Sequence, residues 1–246
     1  MRPRASKQYE AVVLQQIRYG DSSVIVKVYS RSEGVMSFIA RSARKPVKGI
    51  TGALFQPLTQ IEFVAAPSAN SDGLAILREA RLIQTAAVSG GDVIRGCIVL
   101  FLAEVLLSTI RQHEADEELY GFIIETIEHI QICEENELND FPLIFLVQLS
   151  DILGFGPTDD YSKENSVFWL LEGKFYRFAP GNEAFIDSRE GEGFSSLLKA
   201  ARTGSGLSLT GSSRRYLLRQ LLSYFACHHQ KISTIKSHEI LHTILS

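Results

Sequence analysis

Residues 23–40 read SVIVKVYSRSEGVMSFIA, two β-like runs on either side of a polar turn that ends in glycine. The first run places a valine at every second position, namely at Val24, Val26 and Val28. Successive side chains of a strand point to opposite faces, so one face of this run is apolar. The other face carries Ile25, Lys27 and Tyr29. The pattern predicts an antiparallel hairpin with one buried face.

Short β-like runs continue on both sides of this hairpin and are separated by turn residues. Together they predict five strands in the first third of the chain, at about residues 9–17, 23–29, 35–40, 54–64 and 74–82. Five short antiparallel strands fit a small closed barrel of the OB type, because closure leaves no unpaired sheet edge. The N-terminal region is therefore predicted to be an OB-fold barrel.

Beyond Asp92 the apolar residues recur at helical spacing. The predicted helices run from residue 93 and over residues 119–130, 142–153, 194–202, 212–229 and 237–245. The first of them is apolar nearly all round, which predicts a buried helix. Ser212 or Ser213 is the expected cap of the helix that begins there.

Residues 158–190 interrupt the helices with a mostly β insert. Its runs 167–171 and 174–179 are predicted to pair across Glu172-Gly173, a two-residue turn suited to a hairpin. The predicted fold class is α+β: an OB-fold domain at residues 1–82, followed by a mainly α-helical domain at residues 83–246 that contains the insert.

Charge is distributed unevenly along the 246 residues, although the net value is only −3. Residues 1–82 contain 12 Lys and Arg against 6 Asp and Glu, whereas residues 83–246 contain 13 against 22. The 45% of hydrophobic and 22% of charged residues are typical of globular proteins. A basic first third joined to an acidic body predicts that a polyanion is bound by the first third.

The sequence predicts a cytoplasmic protein without a membrane partner. No stretch approaches the roughly 20 apolar residues of a spanning helix, and the N-terminus lacks the apolar region of a signal peptide. Cys97, Cys133 and Cys227 lie far apart in apolar helical contexts. That arrangement predicts buried thiols and no disulfide.

The segment 41–49 is the best candidate for binding nucleic acid, since it carries four cations and no acid: Arg41, Arg44, Lys45 and Lys48. Such a loop gains affinity for the phosphates of single-stranded DNA by displacing counterions, without reading sequence. Lys27 and Arg31 extend this basic group, with Tyr29 or Phe38 as candidate platforms for stacked bases. A solvated loop kept basic for solubility is the alternative.

A second basic run spans residues 199–236, again without an acid. Its cations are Lys199, Arg202, Arg214, Arg215, Arg219, Lys231 and Lys236. Arg215 and Arg219 are four residues apart and so share one helix face. The run predicts either a second phosphate track or a site for an acidic partner, and a charged outer helix face is the alternative.

The sequence offers no catalytic constellation. Cys227, His228, His229, His238 and His242 suggest a metal site, but no carboxylate or Cys-x-x-Cys spacing accompanies them, and a helix carrying histidines explains the run. A Walker motif and a nucleophile elbow are both missing. We predict no enzyme, no metal and no cofactor.

The order and spacing of several short segments resemble the RecO family of recombination mediators over nearly the whole chain. These segments are AVVL at 11–14, YGDSS at 19–23, YSRSEG at 29–34, RSARK at 41–45, LFQPL at 54–58, LREA at 77–80, LGFGP at 153–157 and SHEIL at 237–241. The resemblance implies an OB-fold followed by a helical domain.

The resemblance also implies a function: binding single- and double-stranded DNA, annealing strands coated by single-strand-binding protein, and helping to load RecA recombinase. Implied partners are RecR and the acidic C-terminal tail of the single-strand-binding protein. Many members hold zinc with four cysteines just after the glycine-proline helix stop, whereas residues 158–190 here contain no cysteine. Zinc is therefore predicted to be absent.

A protein of another class would share these sequence features. An interaction adaptor could use an OB barrel to grip a partner protein, with the basic loop never contacting DNA. Charge reversal at Arg44 and Lys45 separates the two hypotheses, because only a DNA-binding protein would lose salt-sensitive DNA affinity.

Overall fold

The computed structural model describes residues 6–41, 52–66, 74–86, 92–110, 115–135, 137–179, 181 and 184–229. Its contacts divide the chain into two compact units, Met1–Ile132 and Cys133–Ser246. The first unit holds the barrel together with the first two helices. The domain boundary predicted at residue 82 stays a prediction.

The first unit is built on a closed five-stranded barrel, which confirms the predicted OB-type fold. Its strands are β1 (Lys7–Tyr19), β2 (Ser23–Ser30), β3 (Gly34–Ala40), β4 (Thr59–Ala66) and β5 (Ala75–Thr85). They follow the order β1-β2-β3-β5-β4, and β1 also pairs with β4. The β3–β5 pair is parallel, and the other pairs are antiparallel.

The barrel interior is filled by the alternating apolar residues that the sequence predicted. The valines of β2 are buried there, together with Phe38, Phe55 and Phe63. The Phe38 ring centroid lies 4.6 Å from that of Phe63 and 6.0 Å from that of Phe55. These aromatic side chains supply much of the apolar area that stabilises a small barrel.

The fourth strand begins later than predicted. Gly52–Phe55 is a 3-10 helix, and Leu58 has a φ of 53°, which ends any extended run before Thr59. The Leu58 amide donates to the Val13 carbonyl at 2.8 Å, and its carbonyl accepts from Ala86 at 3.1 Å. The apolar residues at 54–58 therefore belong to a 3-10 helix and a turn, although their sequence pattern resembles that of a strand.

The described part of the first unit also contains two α-helices, α1 (Val93–Thr109) and α2 (Glu117–Ile132). Asp92 caps α1 by accepting the Arg95 amide at 2.9 Å. α1 packs against β1, and most of its apolar residues are buried as predicted, but Val93 and Leu100 are exposed. Asp116 accepts from the first-turn amides of Glu118 and Leu119, consistent with the acidic start expected for α2.

Within its described residues, the second unit contains α3 (Phe141–Ile152), α4 (Gly191–Thr203) and α5 (Gly211–His228). A three-stranded sheet, ordered β7-β6-β8, lies in the insert: β6 (Val167–Trp169), β7 (Lys174–Tyr176) and β8 (Phe185–Ile186). The predicted helix at 237–245 lies outside the described residues.

Two local predictions in the second unit are wrong. Trp169 pairs with Lys174, so a four-residue loop joins β6 to β7 where a two-residue turn was predicted. The Gly173 amide closes this loop by donating to the Trp169 carbonyl at 2.9 Å. α5 is capped by Thr210, whose side chain accepts the Ser213 amide, and not by Ser212 or Ser213.

The three cysteines are free thiols in different environments. Cys133 is buried, Cys97 is half-buried and Cys227 is exposed near the end of α5. The prediction of buried thiols is therefore wrong for Cys227. In the part of the chain that the structure describes, no helix combines the length and apolar character needed to cross a bilayer.

Candidate nucleic-acid interface

An apolar row crosses the outer surface of four neighbouring barrel strands. Ile17 of β1 pairs with Ile25 of β2, Ile25 pairs with Ile39 of β3, and Ile39 pairs with Ile76 of β5. We call Ile17, Ile25, Ile39 and Ile76 the isoleucine row. The sequence neighbours of the last three, including Val24, Val26, Phe38 and Leu77, are in the core, so these three face outward. Ile17 is itself exposed.

The isoleucine row is accessible at one end, whereas Ile25, Ile39 and Ile76 are half-buried. Ile17 is 43% exposed, and Tyr19, two residues further along β1, is 54% exposed. Apolar and aromatic side chains on the outer strands of an OB barrel are the surface on which such folds bind oligonucleotides. The row could not be predicted from the sequence, because each isoleucine lies on a separate strand and only the strand register aligns them.

Cations accompany the isoleucine row. Lys27 lies in the next row of β2, where it pairs with Gln15 of β1 and Ser37 of β3. Arg41 is exposed directly after β3. Neither Lys27 nor Arg41 forms a side-chain ion pair with any residue that the structure describes. Their charges are therefore available to phosphates. The predicted residues Arg44, Lys45 and Lys48 lie outside the described residues.

Arg31 is engaged within the protein. Its Nε donates to Oε1 and Oε2 of Glu117 at 2.9 and 3.1 Å, and a terminal nitrogen also contacts Oε1. The guanidinium lies 5.8 Å from the centre of the Tyr120 ring. The hydrogen bond from Arg31 lowers the pKa of Glu117, which remains ionised beside it. The role of Arg31 in binding DNA stays a prediction, but its charge is largely compensated.

The suggestion that Tyr29 or Phe38 serves as a stacking platform is wrong, because both side chains are fully buried. Phe38 belongs to the barrel core. Tyr29 lies on the outer face but is covered by α2, where its hydroxyl accepts the Asp116 amide at 3.0 Å. Its ring lies 6.3 Å from that of Tyr120. Tertiary packing of α2 therefore removes this part of the outer face from solvent.

The second basic run separates into paired and unpaired cations. Arg214 donates to Asp140 at 2.7 Å, with the two side chains 14% and 17% exposed. Arg202 binds both carboxylate oxygens of Asp151 and the Pro157 carbonyl. Lys199 lies 3.8 Å from Asp159. These three cations support the fold of the second unit.

Arg215 and Arg219 lie on α5 and differ from those three cations. Neither side chain forms an ion pair within the described ranges. Arg219 is exposed and Arg215 is half-buried. These two residues remain candidates for DNA or an acidic partner. Lys231 and Lys236 fall outside the residues that the structure describes.

The residues of the insert do not fit a four-cysteine zinc site. Residues 158–190 contain no cysteine, and the two acids after Pro157 are used as hydrogen-bond acceptors. Asp159 accepts from the Ser195 hydroxyl at 2.7 Å, and Asp160 accepts from the Phe175 amide at 2.9 Å. The insert is held together by apolar packing and these hydrogen bonds.

Aromatic side chains form the interior beneath the insert. The Phe168 ring lies 5.0 Å from Phe175 and 4.7 Å from Phe194. The Tyr224 hydroxyl donates to the Phe155 carbonyl, and burial raises the pKa of Tyr224 to about 12, which keeps the donor protonated. His228 stacks on Phe155 and lies 3.0 Å from the Leu170 carbonyl, so it serves the fold.

Comparison with known proteins gives one consistent family. Residues 1–86 match the family model described as the N-terminal part of recombination protein O, and residues 90–237 match the model of its C-terminal part. A protein named DNA repair protein RecO from Flavobacterium psychrophilum is 30% identical over 239 residues, covering 96% of this chain and 98% of the relative. One of the same name from Azobacteroides pseudotrichonymphae is 27% identical over 237 residues, covering 96% and 97%.

Proposed function

The chain belongs to the recombination protein O family, whose members act in recombinational DNA repair, and from this premise we propose that it is a non-enzymatic mediator. It binds single- and double-stranded DNA, anneals complementary strands, and helps to load RecA recombinase onto DNA coated by single-strand-binding protein. RecR and the C-terminal tail of the single-strand-binding protein are its proposed partners. It works in the cytoplasm.

One observation carries the proposal that the barrel binds single-stranded DNA directly. Ile17 and Tyr19 are exposed at one end of the isoleucine row, whose other members are half-buried, and Lys27 and Arg41 lie nearby without an ion pair among the described residues. Unpaired bases have apolar faces that pack on such side chains, and phosphates attract the cations. An adaptor that binds only proteins has no need for this combination, or for four cations in the sequence 41–49.

The same features support annealing without a nucleotide cofactor. Two complementary strands repel each other through their phosphates, and bound cations reduce that repulsion. Contacts to base faces and phosphates leave the hydrogen-bonding edges of the bases free to find a complementary strand. The proposed activity therefore needs no covalent step, in keeping with a sequence that has no Walker motif.

Binding of the purified protein to a fluorescent single-stranded oligonucleotide across a salt series, followed by annealing without nucleotide, tests the proposal. We expect salt-sensitive binding, and the double variant Lys27→Glu, Arg41→Glu should weaken it and flatten the salt dependence. Arg189→Glu, which reverses one charge instead of two, is the control, since Arg189 is an exposed arginine of the second unit outside both basic groups. If the protein does not bind even at low salt, the DNA-binding role is excluded and the adaptor remains.

A further inference from the structure

The small sheet of the insert carries aromatic side chains on its outward face. Trp169 of β6 pairs directly with Phe185 of β8, and Tyr176 of β7 pairs with Val167 of β6. The Trp169 and Tyr176 ring centroids lie 5.6 Å apart with planes at 70°. Phe178, two residues beyond Tyr176, is 75% exposed. We call Trp169, Tyr176, Phe178 and Phe185 the aromatic face.

The aromatic face is distinct from the core of the second unit. The alternate residues of the same strands, Phe168, Phe175 and Ile186, are at most 4% exposed and fill the interior. Tyr176 is 37% exposed, whereas Trp169 and Phe185 are half-buried. Folding therefore leaves the Tyr176 and Phe178 rings open to solvent, whereas the Trp169 ring is half-buried, with its Nε1 buried and without a hydrogen-bond partner among the described residues. Exposed rings beside such a tryptophan require another explanation than core packing.

Cations lie next to these rings. Lys174 is the cross-strand partner of Trp169, and the Arg177 guanidinium lies 5.4 Å from the centre of the Phe178 ring. Neither Lys174 nor Arg177 has a carboxylate partner among the residues that the structure describes. The face thus combines flat apolar rings with two cations for which the described residues supply no carboxylate.

We propose that the aromatic face is a second binding surface for single-stranded nucleic acid, separate from that of the barrel. Rings from adjacent strands of one sheet can each stack on a base, as exposed aromatics do in sheet-based RNA-binding modules, while Lys174 and Arg177 meet the phosphates. Stacking requires no particular base, so the surface would accept any sequence. The ligand class rests on the proposed function, but the residues and the surface are new.

A second strand-binding surface would serve annealing, since a protein that holds two strands raises their local concentration. An acidic peptide with apolar residues is the other partner that rings and cations can attract. Nucleic acid is favoured because the rings are flat and spread over three adjacent strands, whereas a peptide end needs a concave pocket for its apolar side chain.

The chain supplies its own reporter, because Trp169 is its single tryptophan. The full-length protein is titrated with an unlabelled oligothymidylate of about 20 nucleotides while tryptophan emission is recorded. Binding of a labelled copy of the same oligonucleotide is measured in parallel by anisotropy. We expect Trp169 emission to be quenched as the oligonucleotide binds, with the quenching reversed by salt.

Variants identify the surface. Phe178→Ala should weaken binding in the quenching titration roughly 5-fold or more, the loss expected for one stacked base. Phe178→Leu should weaken it almost as much, because leucine keeps apolar area but cannot stack. Leu100→Ala, which truncates an exposed apolar residue of α1, is the control and should leave quenching unchanged.

The outcomes distinguish this inference from the proposed function. If anisotropy reports binding while Trp169 emission stays constant and Phe178→Ala has no effect, the aromatic face is not a DNA surface, although the proposed function stands. If anisotropy reports no binding, the proposed DNA-binding function is contradicted, and the inference that rests on it is contradicted too. Quenching by an acidic peptide with a terminal apolar residue, but not by the oligonucleotide, would overturn the inference in favour of a protein partner.

Discussion

The guanidinium of Arg31 lies against the carboxylate of Glu117, with Nε donating to Oε1 at 2.9 Å. Arg31 directly follows β2, and Glu117 is the first residue of α2. The pair therefore joins the barrel to the helix that covers Tyr29. In addition, Glu117 places a negative charge against Arg31, one of the cations predicted from the sequence to bind DNA.

Replacing Arg31 should change the titration of Glu117. The hydrogen bond from Arg31 is the main cause of the lowered pKa of Glu117, so Arg31→Ala should raise that pKa toward the ordinary value of about 4.3. NMR titration of the glutamate side-chain carboxyl carbons measures it.

The same pair makes the stability of the fold depend on pH. Because the pKa of Glu117 is lower in the folded than in the unfolded protein, its ionised carboxylate stabilises the fold at pH values above the unfolded-state pKa. This contribution is lost as the pH falls through the lowered folded-state pKa. Any difference in Tm between wild type and Arg31→Ala should follow this window. A Glu117 pKa that does not move on substitution would contradict the pairing in solution.

Removing the charge of Glu117 should strengthen DNA binding. Glu117→Gln releases Arg31 from its anionic partner and leaves the guanidinium free for a phosphate. The salt dependence of single-stranded DNA binding should steepen by about 0.7 in log–log slope, the value of one added phosphate contact. Glu118→Gln is the matched control, because it removes the same charge from an exposed neighbour. Equal effects of the two substitutions would mean that only net charge matters and that Arg31 does not reach the DNA.

The isoleucine row should contribute to affinity through apolar contact. Ile17→Ala should weaken binding of single-stranded DNA about 5-fold, which corresponds to about 1 kcal/mol for a partly exposed isoleucine that becomes buried under bases. Ile83→Ala is the control, because Ile83 is a similarly exposed isoleucine of the same barrel outside the row. Fluorescence anisotropy with a labelled oligonucleotide measures both affinities. If both substitutions have the same effect, the row is not the contact surface.

Replacing Arg214 and replacing the adjacent Arg215 should have different effects on stability. Arg214→Ala leaves Asp140 as an unpaired, largely buried carboxylate, so it should lower the free energy of unfolding by about 3 kcal/mol. Arg215→Ala should stay within about 0.5 kcal/mol of wild type, because the described residues offer Arg215 no ion pair. Denaturant titration followed by circular dichroism compares them. If Arg215 contacts DNA or an acidic partner, its loss appears in binding alone.

The barrel could be predicted from sequence because the pattern that specifies it lies within each single strand. Alternating valines in β2 and apolar residues in the neighbouring strands fix which side faces the core, and closure then follows from the number of short strands. The start of β4 could not be predicted in this way. The run at 54–58 is apolar enough for a strand, and only the Leu58 hydrogen bonds to Val13 and Ala86 show that it forms a turn.

The candidate site was predicted less well, because it depends on contacts between distant residues. Tyr29 shares a face with Lys27, and nothing in β2 alone shows that α2 covers the tyrosine. Nor does β2 alone show that Lys27 has no ion pair among the described residues. Conversely, the isoleucine row needs the register of four strands, which local periodicity does not supply. Charge could be counted from the sequence, but the partners that compensate Arg31 and Arg214 are 86 and 74 residues away.

The close approach of α4 to the insert gives the last prediction, at Gly191. A side-chain carbon placed there would lie 2.1 Å from the Ser166 carbonyl oxygen, a backbone atom at the entry to β6. Gly191→Ala should therefore force the helix away from the sheet and lower the free energy of unfolding by about 2–3 kcal/mol. Gly193→Ala, in the same helical turn, meets two ordinary contacts, at 3.5 Å with Leu209 and at 3.8 Å with the side chain of Glu190. It should be neutral or stabilise by up to about 1 kcal/mol, since alanine favours helix over glycine. Thermal and denaturant unfolding of both variants measure the difference. If Gly191→Ala were as stable as Gly193→Ala, this packing of α4 against residue 166 would be wrong.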